Sequence, residues 1–242
     1  GDGAVTATGA GAIAIGNAYA SGVDSLASNI TNNTSTYGAQ GANSIAVGQL
    51  CKTTATNSIA IGANNLASAN GAITLGTNAI ASGVNSTALG FYSNSNIYGK
   101  LSTASGMFAS SGDAQSGKII LRGSTTTATP LVITSDGAAA STTNQIILPN
   151  DSTFTFSILV VARRSDSNDE SAGYKFEGVI DRNATAGSTA FVGTVSKTVL
   201  AEDSIAWDCN VTADTTNGGL AITVTGEAAK TIKWVATAWT SE

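Results

Sequence analysis

The chain of 242 residues contains no histidine. This excludes a Ser-His-Asp triad and a Cys-His pair, both of which use an imidazole as base, and leaves only Ser-Lys or carboxylate chemistry open. Charge is scarce as well: Asp, Glu, Lys and Arg make up 11% of the residues, against about 25% in ordinary globular chains. The net charge is −5, so no Lys/Arg surplus exists to displace counterions from phosphates, and nucleic-acid binding is not expected. Aromatics amount to only 6%, too few for a conventional core throughout. Sheet ladders packed closely through Gly, Ala, Ser, Thr and Asn are the alternative. The apolar content of 42%, combined with so little charge, argues against disorder.

Cysteine is nearly absent too. Cys51 and Cys209 fall in different halves of the chain and read as two separate unpaired thiols. Two of them cannot build a cysteine zinc site. No metal or cofactor is expected. No apolar run approaches the roughly 20 residues that span a bilayer. The longest, Ile158-Leu159-Val160-Val161-Ala162, is strand-sized, so no membrane insertion is expected. The opening Gly1-Asp2-Gly3 lies in mid-pattern, which reads as a fragment of something longer.

What is present is a period. Ser44-Ile45-Ala46-Val47-Gly48 returns as Ser58-Ile59-Ala60-Ile61-Gly62, as Ala72-Ile73-Thr74-Leu75-Gly76 and as Ser86-Thr87-Ala88-Leu89-Gly90. The phrases start at positions 44, 58, 72 and 86, so the period is 58 − 44 = 14 and it is constant. One unit stacked on copies of itself makes a rod. The alternation around Ile59 and Ile61 predicts a strand with the aliphatic face buried, and the following glycine predicts a corner. A second short strand carries Leu66 and Ile80, each followed by Ala-Ser. Two strands and two corners per turn describe a narrow β-solenoid. An earlier turn is visible at Ala12-Ile13-Ala14-Ile15-Gly16; the register is then lost until Ser44, and 29–36 reads as an inserted outward loop. Turns this thin imply association, with Ala46, Ala60 and Ala88 expected to let sheets from several chains approach closely.

These phrases, with Ala79 through Gly90, resemble the head repeats of trimeric autotransporter adhesins. The resemblance extends from the start of the chain to Gly90. It implies a left-handed parallel β-roll in each chain, three rolls packing about a threefold axis. The first turn departs from it, because the step from Ala12 to Ser25 is one short of the period.

Residues 99–117 are rich in Gly, Ser and Ala without a period and read as a connector. The remainder alternates strictly between turn signals, the pattern of an antiparallel β-sandwich or barrel. Phe154, Phe156, Ile158 and Val160 share one strand face; Tyr174, Phe176 and Ile180 another. Ile205, Trp207, Cys209 and Val211 make a third, Leu220, Ile222 and Val224 a fourth, and Ile232, Trp234 and Ala236 a last. Asp214 to Gly219 is a turn between the third and fourth. The predicted organisation is therefore all-β: a parallel β-roll over 1–98, a connector over 99–117 and a sandwich tip over 118–242.

This half carries a second resemblance. Ala104-Ser105-Gly106-Met107-Phe108, Leu148-Pro149-Asn150-Asp151, Glu170-Ser171-Ala172-Gly173-Tyr174, Leu200-Ala201-Glu202-Asp203 and the closing Gly226 to Ala236 are similar to the C-terminal region of tailed-bacteriophage tail-fibre proteins. The resemblance implies an extracellular virion fibre. Its partners would be two further copies of itself, other virion tail proteins, and a host bacterial surface polysaccharide or outer-membrane component.

Residues for chemistry are few. Hydrolysing a glycoside needs two carboxylates roughly 5 to 10 Å apart. Glu177 and Asp181 share a polar strand face, but Lys175 shares it too, which reads as a solvated surface of mixed charge. Asp166-Ser167-Asn168-Asp169-Glu170 is rich in oxygen yet lacks the glycine and ligand spacing of a calcium loop, and reads as an exposed turn. Sugar recognition favours an exposed aromatic flanked by polar groups. Trp239, on the face opposite Trp234 with Lys233 and Thr237, suits this, although subunit contact suits it too. Trp239, Tyr174 and Arg163 are the candidate receptor contacts; Arg163 and Arg164 point to opposite faces, so at most one turns inward.

The sequence thus predicts an adhesive fibre with no catalytic residues. A structural virion fibre without receptor binding, a bacterial trimeric adhesin head and a tailspike-type polysaccharide depolymerase remain alternatives.

Overall fold

The computed structural model describes residues 5–29, 35–167 and 169–242, and every described element longer than a single 3-10 turn is a strand. The chain divides into two compact units, Gly1–Ser116 and Gly117–Glu242.

In the first unit each period of the sequence is one turn of a parallel β-roll. One sheet stacks the strands Ile13–Ile15, Leu26–Ser28, Ile45–Val47, Ile59–Ala63, Ile73–Thr77, Thr87–Phe91 and Leu101–Ser105. The other stacks seven two-residue strands, from Thr6–Ala7 to Asn94–Ser95. The constant step sets the register: Ile59 pairs with Ile73 and Ile73 with Thr87, so like residues lie in columns. The first step, Ile13 to Leu26, is one short of the period. The next, Leu26 to Ile45, is longer than the period, and this turn includes residues 30–34, outside the described residues. Leu26-Ala27-Ser28 copies the wording of the short strands but occupies the long-strand sheet, so a rung stands where the sequence showed no register. A further rung, Leu101–Ser105, lies within the stretch read as an aperiodic connector. Its hydrogen-bond register to Thr87–Phe91 keeps the period after the repeated phrase has gone.

The burial of the roll is inverted relative to the sequence expectation. Ala46, Ala60, Thr74, Ala88 and Ser102 fill the interior, facing Ala39, Thr53, Ala67, Ala81 and Ser95 across it, all fully buried. The aliphatic residues on either side of them in the strand point away from the chain: Ile13 is 56% exposed, Leu75 51% and Ile61 38%. The reason is spatial. Two sheets joined by corners of a few residues leave an interior that admits a methyl or hydroxymethyl group and nothing longer. Most of the polar groups inside it are satisfied locally, as buried polar groups usually are, the Ser93 hydroxyl being an exception. Ser44 donates to the Gly41 carbonyl at 2.6 Å, Thr53 donates to the Ser44 hydroxyl at 2.8 Å, and Asn65 accepts from the Ala79 N–H while donating to the Ile61 carbonyl. At the corner, Gly62 has φ +126°, and a Cβ there would overlap the carbonyl oxygen of Gly76 in the next turn. That close approach admits only glycine.

The second unit is a sandwich of antiparallel sheets with a large-residue core. One sheet runs in the order Gln115–Thr125, Ile232–Ser241, Ser152–Arg164, Ser171–Arg182, with Ala190–Phe191 and Ser196–Glu202 both pairing to Ser171–Arg182. In the other, Gly219–Thr225 pairs with Leu131–Ile133, Ile146–Ile147 and Asp208–Asp214. The inward residues anticipated from alternation on four of the five strand faces, among them Phe154, Ile158, Tyr174, Ile222 and Trp234, are buried. The turn from Asp214 to Gly219 falls between the third and fourth faces, as expected. The third face departs from this: Val211 is only half-buried, and Ile205 is 95% exposed, because its strand starts only at Asp208. Trp207 packs at a tilt on Trp234, ring centroids 6.0 Å apart, and the Trp234 indole N–H donates to the Thr125 hydroxyl at 2.9 Å.

Candidate functional site

The strand alternation that buries Ile119, Leu121, Trp234, Ala236, Ile158 and Val160 turns their neighbours outward on three adjacent strands. The outward row on Ile232–Ser241 is Lys233, Val235, Thr237 and Trp239. Across the ladder from them on Ser152–Arg164 lie Arg163, Val161, Leu159 and Ser157, in that pairing order. The Gln115–Thr125 strand adds Lys118, Ile120 and Arg122 to this sheet face. The face thus has an aliphatic centre, with Trp239 and Lys118 towards one end and Arg163 and Lys233 at the other.

The three candidate contacts divide on this structure. Trp239 is 41% exposed on this outer face, with the Lys118 ammonium 5.8 Å from its ring centroid, within reach of a cation–π contact. Arg163 also projects outward, donating to the Ser171 hydroxyl at 3.1 Å, while Arg164 pairs with Glu170. Tyr174 is a correction: it is fully buried, its ring stacks on Trp234, and its hydroxyl donates to Glu202 at 3.1 Å. Burial and the Glu202 carboxylate both raise its pKa, which marks a core phenol and not a surface contact. The same alternation that placed it with Phe176 and Ile180 put it there.

Arg122, which sequence reasoning did not single out, and Lys233, noted there only as a neighbour of Trp239, complete the site. Arg122 and Lys233 line one cleft of about 350 Å³ with Gly123, Ser124, Gly137 and Val235. A continuation of about 620 Å³ runs past Leu131 and Ala138 to Ala140. The loop that walls it is built from its own polar residues. Asp136 accepts from the Ala138 N–H at 2.9 Å, the Asn144 amide at 2.9 Å and the Thr134 hydroxyl at 3.2 Å. Partial burial works against its charge, yet these bonds hold its carboxyl below the ordinary value. Arg122 ties the loop to the strand by donating to the carbonyls of Ser135 at 2.8 Å and Asp136 at 2.9 Å. The available signal was the outward position of Arg122 beside the inward Leu121; the loop from 134 to 144 carried none.

Among the described residues, the acidic groups weighed for chemistry do not form a carboxylate pair or a cation loop. Glu177 forms an ion pair with Lys175 at 3.0 Å. Four residues along one strand place Asp181 about 13 Å from it between Cα atoms, beyond ordinary carboxylate-pair geometry. Of the oxygen-rich turn, Asn168 lies outside the described residues. Asp166 and Glu170 bind Arg164 at 2.8 and 3.0 Å, and Glu170 also binds Lys230 at 2.6 Å. Cys51 and Cys209 are both free and buried; burial pushes the Cys209 thiol up to about 12, so it is protonated and inert at neutral pH.

Residues 39–65, 54–79 and 67–93 match the YadA head domain repeat (2 copies). No curated protein matches the chain. Among solved structures it aligns with the tailspike protein gp49 of Acinetobacter baumannii bacteriophage Fri1, described as a capsular polysaccharide depolymerase, at 8% identity and TM-score 0.29, over 92% of this chain and 36% of that one. The tailspike protein of Acinetobacter phage vB_ApiP_P1 aligns at 9% identity and TM-score 0.25, over 90% and 50%. That of Acinetobacter baumannii phage AM24 aligns at 10% and 0.27, over 94% and 49%. The chain spans between about a third and a half of the length of these proteins, and likeness at this level carries no argument about fold or activity.

Proposed function

We propose that the chain is the distal part of a homotrimeric bacteriophage tail fibre that holds the virion to a host bacterial surface through a surface glycan, with no covalent chemistry. The observation that carries this reading is the inverted roll. Columns of Ile and Leu face away from the chain over successive turns, and removing such a surface from water is a favourable driving force for association with further copies. The match of 39–93 to head repeats supports the roll's part in this reading, and the resemblance of 99–242 to tail-fibre C-termini supports the virion setting. Three tips on one rod raise the effective concentration of weak sites, so adhesion needs no tight single contact.

Two measurements test it. Light scattering after size exclusion should give a mass three times that of the 24.0 kDa chain; a 24.0 kDa species removes the trimer. Labelled full chain should adhere to susceptible cells and leave purified surface polysaccharide at its original length. Shortening of that polymer would replace adhesion by hydrolysis.

A further inference from the structure

We propose that the cleft between Arg122 and Lys233 is a subsite for an anionic sugar, one carrying a carboxylate. This inference rests on the adhesion reading above and names the class of glycan that the tip takes.

The chain has 16 acidic and 11 basic residues, so a basic residue has, on average, more than one anion available to it. Several take theirs: Arg164, Lys175, Lys197 and Lys230 are all ion-paired. Arg122 and Lys233 are not. The Lys233 side chain makes no hydrogen bond or ion pair among the described residues, and the two side-chain bonds Arg122 makes are to neutral carbonyls. No acidic residue is among those lining the cleft or its continuation. The neighbouring Asp136 carboxylate is turned into its own loop, where Ala138, Asn144 and Thr134 take it up. Two cations therefore border one cleft with no carboxylate of the chain between them, and a bound anion would supply it.

The geometry agrees. The carbonyls of Ser135 and Asp136 fix the guanidinium, so its planar fork is held before any ligand arrives. Gly137 lies beside its Nε and Nη2 edge, where a Cβ would come within 3.8 Å, and so leaves that edge without a side chain over it. The cleft volume of about 350 Å³ lies within the range of small-ligand sites. Leu131 and Val235 offer aliphatic surface to the apolar face of a pyranose, while Arg122 and Lys233 meet the carboxylate.

The test uses the full chain and a glycan panel pairing glucuronate-, galacturonate- and sialate-bearing oligosaccharides with their carboxyl-reduced counterparts. At least one acidic member should bind at least tenfold tighter than its reduced partner. Lys233→Gln should weaken that binding about tenfold, Arg122→Gln by more, and Lys175→Gln, on the same sheet but outside the cleft, should leave it unchanged. Lys233 has no partner to lose, so its variant guards against a folding artefact at Arg122. Equal binding of all acidic and reduced pairs overturns the proposal. Equal weakening by Lys175→Gln overturns it too, because the effect would then be general charge. If Lys233→Gln instead lowers the solution mass, the face is a contact between copies and the proposal fails. Adhesion to cells surviving in both cleft variants would sink the subsite while leaving the adhesion reading intact; loss of adhesion by the unmodified chain would sink the adhesion reading.

Discussion

The two units of this chain solve burial in opposite ways. In the roll the smallest side chains are inside and the aliphatic ones outside; in the tip Phe, Tyr and Trp are inside and charges outside. The charges follow the same division. Residues 1–116 carry only Asp2, Asp24, Asp113, Lys52 and Lys100, and every other charged residue lies beyond them. A unit that keeps its aliphatic residues outside and almost no charge is shaped for covering by another surface. A unit with a large-residue core and a charged exterior buries its own apolar residues and meets water. The same alternating strand pattern serves both, so alternation alone does not say which face is the inside.

The largest effect should come from breaking the roll's outer surface. Changing Ile59, Ile61, Ile73 and Leu75 together to Asp leaves the interior columns of Ala and Thr untouched. By light scattering it should nonetheless convert a three-chain species into the 24.0 kDa single chain. Retention of the higher mass would show that the stripe is not what joins copies. The counterpart in the tip is Trp234→Ala. Removing this fully buried ring, with its contacts to Trp207 and Tyr174, should lower tip stability by about 3–5 kcal/mol. All three tryptophans lie in the tip, so denaturant unfolding followed by the fluorescence of the remaining two reads this loss, while far-ultraviolet circular dichroism reads both units. A shift of the whole dichroism transition along with the fluorescence would mean that the units unfold as one.

The difference between the units also explains what could be read in the sequence. Between Ile45 and Phe91 the period settled the rungs and their register because parallel pairing repeats whatever the chain repeats, Ile59 on Ile73 on Thr87. In the tip, alternation identified Phe154 to Val160 and Ile232 to Ala236 as inward because a self-contained sandwich does bury its aliphatics. The same rule applied to the roll put Ile59 and Ile61 inside. It failed because the width of the interior is a property of the corner-to-corner geometry, which no single strand encodes. The cleft was illegible for another reason: its walls come from a strand, a distant second strand and the 134–144 loop, brought together only by hydrogen bonds such as those of Arg122 to Ser135 and Asp136. Trp239 was legible as outward by parity, whereas Tyr174 already stood on the core face beside Phe176.

Inside the roll, Ala60→Leu should be more damaging than its modest chemistry suggests. Ala60 is fully buried beneath the neighbouring turns, paired to Ala46 on one side and Thr74 on the other. Extra methylene groups have nowhere to go, and overpacking costs about 1–3 kcal/mol. The loss should appear in circular dichroism at a lower temperature than in the unmodified chain, with the tryptophan transition unmoved. Unchanged melting would mean that the interior is wider than its Ala and Thr columns imply.

The smallest effect separates the units by pH. In the tip, the hydrogen bond from Arg164 holds the Asp166 carboxyl below 3.8, its ordinary value. Those from Lys230 and Ser204 hold Glu227 below 4.5. A carboxylate whose pKa is lower folded than unfolded contributes stability that is fully present above the unfolded value and fades as pH falls through the folded one. Acidification below about pH 4 should therefore lower the tip's midpoint, by an amount that stays small because these groups face water. In the first unit one carboxyl is held down, that of Asp113, by the N–H groups of Ala109, Ser110 and Phe108, so its dichroism transition should respond less than the tip's over the same range. Raising the salt concentration should shrink the tip's response, since exposed pairs are screened. A roll that lost stability in step with the tip would mean that the two units share one unfolding transition.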